Sequence, residues 1–150
     1  MWAMINNAAW MIVGLLGGAS LVVQASLNSG LRHRLDSVAW AGFVSYLGGT
    51  VAMTLTIVAA RVPLPAVQAR TIPAVWWFGG FFGAAYLAIA IVLLPRIGAA
   101  TLVAIVVAGQ AIFSLLCDRF GWFGLTVHPL DVRRAAGALF LVLGVVLIRS

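Results

Sequence analysis

WWFGGFFGAAYLAIAIVLLPRIGAATLVAIVVAGQ, residues 76–110, contains a single charged side chain, Arg96. A helix rising about 1.5 Å per residue crosses a hydrocarbon core of about 30 Å in about 20 residues. This stretch offers two such runs, divided by Pro95-Arg96-Ile97-Gly98. Proline removes a backbone donor and glycine favours a turn, so the four residues predict a tight break between two membrane spans, roughly 74–94 and 99–117. Pro73 suits the first helical position of the earlier one.

Working outward, the same arithmetic predicts three more spans, at about 9–31, 38–60 and 133–148. Ser37 and Asp36 are the candidate N-caps of the second. The linker RVPLPAVQARTIP carries three prolines and two arginines and reads as non-helical. The expected fold is therefore all-α: one transmembrane domain over residues 1–150, a bundle of five helices. The chain as a whole agrees. It is 64% hydrophobic and 8% charged, with a mean hydropathy of +1.14, too little polar surface for a water-soluble globule. The first twenty residues lack a basic leader and are not expected to be a cleaved signal. Trp10, Trp76, Trp77 and Trp122 fall near span ends, where indoles anchor at the headgroup layer; Trp40 also sits there, close to the polar end of the first span.

The formal charge of +6 arises from nine arginines and three aspartates, without lysine or glutamate. In so apolar a chain this excess belongs at lipid headgroups, and no nucleic-acid partner is expected. With five spans, one side of the membrane receives Arg61, Arg70, Arg119, Arg133 and Arg134, and the other Arg32, Arg34, Arg96 and Arg149. Five against four is almost no positive-inside bias. The balance favours insertion both ways and antiparallel pairing; the alternative is one orientation set by Arg133 and Arg134.

Helical spacing of about 100° per residue gathers the small and polar residues into stripes. Gly17, Ser20, Gln24 and Asn28 share one on the first span. Ala39, Gly42, Tyr46, Gly49, Thr50 and Met53 share one on the second. Gly79, Gly83, Tyr86 and Ala90 align on the third, Gln110, Ser114 and Cys117 on the fourth, and Gly137 and Gly144 on the fifth. Membrane helices associate through small residues and interhelical hydrogen bonds, so Gly17, Gly42, Gly49, Gly79, Gly83, Gly137 and Gly144 are candidate packing positions. Gln24, Asn28 and Gln110 have two readings that the residues leave open. They are either interhelical glue or the lining of a polar cavity, since each carboxamide has more bonding capacity than one neighbour usually fills. Ser114 and Thr101 are expected to bond back to their own helices.

No ionisable side chain lies in the middle of a span, which disfavours antiport through a single buried carboxylate. Asp118 reads as a solvated or paired charge at a span end, and His33 and His128 as loop residues. Cys117 is the lone cysteine; no metal site, cofactor or enzymatic motif is expected.

The pattern Q-x-x-x-N-x-x-L-R followed by A-W-A-x-x-V-S-[FY]-x-x-G-T, within residues 22–53, resembles a known group. Together with residues 76–110 and the closing HPLDVRRAAGALFLVLGVVLI, it is similar to the five-span bacterial inner-membrane exporter family typified by YdcZ, in the drug/metabolite transporter superfamily. The Asp36-Ser37-Val38 turn departs from the family's more usual Gly-Ser-Pro-like turn. The resemblance implies half of a ten-helix transporter in the inner membrane, completed by an antiparallel homodimer or a paralogous five-span partner, and moving a small solute by alternating access. By the same resemblance Ser45, Tyr46 and Tyr86 join Gln24, Asn28 and Gln110 as in-membrane site positions. Ser20 and Trp40 complete the candidate substrate-binding set. The rival expectation is a membrane scaffold or regulatory subunit that transports nothing itself.

Overall fold

The computed structural model describes residues 2–129 and 131–149, and among them every regular element is a helix. Six α-helices follow in order: α1 (Trp2–Leu35), α2 (Val38–Ala59), the short α3 (Ala66–Thr71), α4 (Gly79–Ile97), α5 (Ala99–Phe120) and α6 (Val132–Arg149). Four segments are long and apolar enough to cross a membrane: Ala9–Leu35, Val38–Ala59, Ala74–Ile97 and Ala99–Phe120. The fifth expected span coincides with α6, which differs in kind. Arg133, Arg134 and Arg149 bound its apolar run, residues 135–148, and 14 residues reach only about 21 Å as a helix.

Helix ends account for most departures from the sequence reading. α1 runs four residues beyond the expected end at 31, so His33 stands in its last turn rather than in a loop. The helix stops because Asp36 turns left-handed (φ 48°) and the Ser37 amide donates back to the Arg32 carbonyl at 3.3 Å, the closing bond of a Schellman-type cap. Ser37 then caps α2 as expected, its hydroxyl accepting from the Trp40 amide at 3.2 Å. The proline-rich linker is not wholly irregular. Between Pro65 and Pro73 it winds the short α3, entered by an Ala69 amide bond to the Pro65 carbonyl at 2.8 Å.

Pro73 stands one position before the helical residues rather than at the first of them. A single 3-10 turn, Ala74–Phe78, follows it, with the Trp76 amide on the Pro73 carbonyl at 3.1 Å. The expected four-residue break at 95–98 contracts to one residue. α4 continues through Pro95 to Ile97, because a proline so near the C-terminus forfeits one backbone bond without stopping the last turn. Gly98, at φ 79°, makes the turn alone, in a region that side chains disfavour.

The chain groups into two compact units, Met1–Pro95 and Arg96–Ser150. In the first, the core is small: Ala41 of α2 with Leu87 and Ile91 of α4, flanked by Leu31 and Val38. Ala41 and Ile91 have no exposed surface at all. In the second, α5 and α6 pack along each other. α5 ends at Gly121, left-handed at φ 63°, whose amide reaches the Cys117 carbonyl. There Trp122 stacks on Phe120 with ring centroids 5.4 Å apart. The start of α6 is set by Asp131, whose carboxylate accepts from the amides of Arg133 and Arg134.

Candidate functional site

The polar stripe of α1 divides into residues with three different fates. Ser20 donates to the Gly17 carbonyl of its own helix at 2.7 Å, the local bond that hydroxyls often make when no partner is offered. Asn28 is 5% exposed, and its Nδ2 donates to Ser45 Oγ on α2 at 3.0 Å. That contact ties α1 to α2. Gln24, one turn earlier on the same stripe, is exposed, and its side chain makes no hydrogen bond with any described residue.

The aromatic members stand further along the first unit. Tyr46 is partly exposed, and its hydroxyl lies 2.7 Å from where a Cβ on Gly83 would stand. Gly83 thus makes room for the Tyr46 side chain that α2 extends toward α4, whereas a Cβ on Gly42 would make only an ordinary contact with Leu87, at 4.0 Å. Tyr86 is half-buried. Trp40 is exposed and packs edge-on against Phe43 at 5.7 Å. The remaining candidate packing glycines meet open space: Gly17, Gly49, Gly79, Gly137 and Gly144 have nothing within 4 Å of a built Cβ.

In the second unit Gln110 lies at the middle of α5, exposed and without a hydrogen bond to any described residue. Ser114 donates back to the Ala111 carbonyl at 2.9 Å, as expected; Thr101 makes no such bond. Asp118 is paired, with Arg134 of α6 at 3.1 Å, rather than with the adjacent Arg119. His128 stays in the loop, its amide on the Asp118 carbonyl at 2.9 Å. Among the described residues no group of histidine, cysteine and carboxylate side chains could hold a metal ion.

The sequence reading missed two features. Ala41, not the Tyr46 stripe, is the buried centre of α2; an alanine carries no signal beyond its size. The Asp118–Arg134 pair was missed although a signal existed. Gln110, Ser114 and Asp118 follow at intervals of four on one helix, which makes a polar stripe about 80° wide.

Apolar helices of membrane-crossing length, four among the described residues, define a multi-pass membrane protein. The comparison with known families is specific. The profile described as "Putative inner membrane exporter, YdcZ" matches residues 9–147, and the chain belongs to that family, in the inner membrane. No curated protein matches the chain, and no solved structure does.

Proposed function

We propose that this chain is half of a small-solute exporter or exchanger of the drug/metabolite transporter type. In this reading α6 crosses the membrane as a fifth span, and two copies of opposite orientation form a ten-helix unit that works by alternating access. The observation that carries the proposal is Gln24. Its side-chain amide is exposed within the apolar segment Ala9–Leu35 and makes no hydrogen bond with any described residue. Leaving such an amide against hydrocarbon costs roughly 2–7 kcal/mol. A second copy, water or a polar solute has to meet it. Gln110 poses the same demand on α5.

Two further facts support pairing. The arginines divide almost evenly between the two sides that five spans would define, as dual insertion requires. Gly17, three residues before Ser20 on the Gln24 stripe, has open space where a Cβ would stand, so another helix could approach it closely. Tyr46, Tyr86 and Trp40 would supply aromatic walls for the solute. A cationic group against one such ring gains roughly 0.5–2 kcal/mol.

The test is a comparison of assembly with flux. Gln24→Ala and Gln110→Ala are expected to preserve the yield of dimer and abolish solute counterflow in liposomes. Loss of assembly with either variant would favour the scaffold alternative. Topology reporters fused after residue 150 should be active on both sides of the membrane; activity on the cytoplasmic side alone would point to a paralogous partner instead.

A further inference from the structure

We propose that the recess between α5 and α6 at the Asp118–Arg134 pair binds a small zwitterion, a solute carrying one ammonium and one carboxylate. The inference deepens the transporter reading and rests on it for its purpose, though not for its geometry. The recess is lined by Ala111, Ser114, Leu115, Asp118, Arg134 and Ala138 and has a volume of about 200 Å³. The lining therefore carries one negative group from α5 and one positive group from α6, and the remainder is apolar except for the Ser114 hydroxyl.

Position and exposure make the pair reachable. Asp118 lies two residues before the end of α5, at the water-facing end of a membrane-crossing segment. The side chains of Arg134 and Asp118 are 40% and 33% exposed, so their mutual attraction is that of a solvated pair and opens at small cost. Arg133 and Arg134 occupy the first turn of α6, where the helix dipole disfavours a cation. Asp131 is already committed to the amides there, so Asp118 is the carboxylate that Arg134 meets.

The charge arithmetic selects the ligand. A simple anion drawn to Arg134 is repelled by Asp118, and a simple cation drawn to Asp118 is repelled by Arg134. A zwitterion exchanges the single internal pair for two pairs, its carboxylate on the guanidinium and its ammonium on Asp118. Ala111, Leu115 and Ala138 leave room for a short aliphatic side chain. From Asp118 the polar stripe continues inward through Ser114 to Gln110 at mid-helix, a graded series of bonding groups along α5.

The experiment uses the full chain in nanodiscs and three matched probes. These are leucine, its deaminated analogue 4-methylpentanoate and its decarboxylated analogue 3-methylbutylamine, competing against tritiated leucine. The unaltered chain should bind leucine saturably and at least about tenfold better than either single ion, the usual value of one charged hydrogen bond. Asp118→Asn should reverse the order in favour of 4-methylpentanoate, and Arg134→Gln in favour of 3-methylbutylamine. Ala111→Leu, which fills the recess and leaves the pair intact, should abolish binding. A pair that merely ties α5 to α6 would alter thermal stability in both charge variants and leave the ranking of probes unchanged. That result, or absence of saturable leucine binding, overturns the inference. Leucine counterflow is read separately: ligand switching without flux would refute transport and leave the recess standing. Flux of another solute indifferent to Asp118→Asn would do the reverse.

Discussion

Asn28→Ala removes the one side-chain hydrogen bond that joins described residues of α1 and α2. Asn28 is 5% exposed and its donor sits 3.0 Å from Ser45 Oγ, so neither water nor lipid replaces the partner without rearrangement. Interhelical hydrogen bonds in membrane proteins average about 0.6 kcal/mol and reach about 1.7 kcal/mol. Ser45, once released, can turn its hydroxyl to a carbonyl of its own helix, as Thr50 and Thr54 of α2 already do, and this limits the loss. The expected destabilisation is about 1 kcal/mol, roughly a fivefold change in the folding equilibrium.

The assay is reversible unfolding in mixed micelles, titrated with a denaturing detergent and followed by tryptophan fluorescence. Asn28→Ala, Ser45→Ala and the double variant close a cycle, whose coupling term should lie at about 0.6–1.7 kcal/mol. Gln24→Ala is the internal control. It deletes an amide of the same kind one turn away and should stay within about 0.5 kcal/mol, the range of surface changes. Coupling indistinguishable from zero, or a Gln24→Ala loss as large as that of Asn28→Ala, would refute the division of the stripe into a tied and a free amide.

Other substitutions probe different joints. Gly83→Ala brings a methyl into the Tyr46 hydroxyl, the outer end of an exposed side chain, and alanine's helix preference offsets part of the strain, so the net loss in the same titration should stay below about 1 kcal/mol; Tyr46→Phe, which removes that oxygen, should abolish the loss. Ser37→Ala removes the α2 cap and should cost about 0.5–2 kcal/mol without affecting self-association. Gly17→Leu, at a position open to its surroundings, should stabilise the chain against unfolding by roughly 0.5–1 kcal/mol through helix preference alone. It should also weaken pairing measured by energy transfer between labelled copies; unchanged transfer would remove Gly17 from the interface.

What was legible in the sequence was whatever depends on the solvent. Runs of apolar residues located the four helices of membrane-crossing length, α1, α2, α4 and α5, because the length of a span is fixed by bilayer thickness and not by tertiary contacts; the run in α6 located a helix but falls short of that length. Ends depend on single backbone bonds and were less legible. Nothing local announces that Asp36 turns left-handed, and Pro95 stops a helix or rides in its last turn according to the few residues beyond it. The candidate site was legible as chemistry but not as partnership. Gln24 and Asn28 have nearly the same side chain on the same stripe, and only the register of α2, which places Ser45 opposite Asn28, separates them.

That register also explains why the free amide is the informative one. α2 approaches α1 beside its last turns, where Leu31 and Val38 join the core around Ala41. The buried alanine Ala25 and the buried pair Asn28 and Ser29 mark the same end of α1. Upstream the helix loses cover: Leu15, Leu16 and Leu21 are exposed, and Gly14, Gly17 and Gly18 meet nothing. Lipid satisfies the leucines there, since hydrocarbon chains are as apolar as they are. It gives no reason for three glycines, which weaken a helix by roughly 0.5–1 kcal/mol each relative to alanine, nor for an amide. A helix that accepts both costs on its uncovered part and keeps its tied amide on the covered one is shaped for contact with something other than lipid: in the proposed pair, the glycines would admit the backbone of a second copy and Gln24 would be left to the polar space beside it.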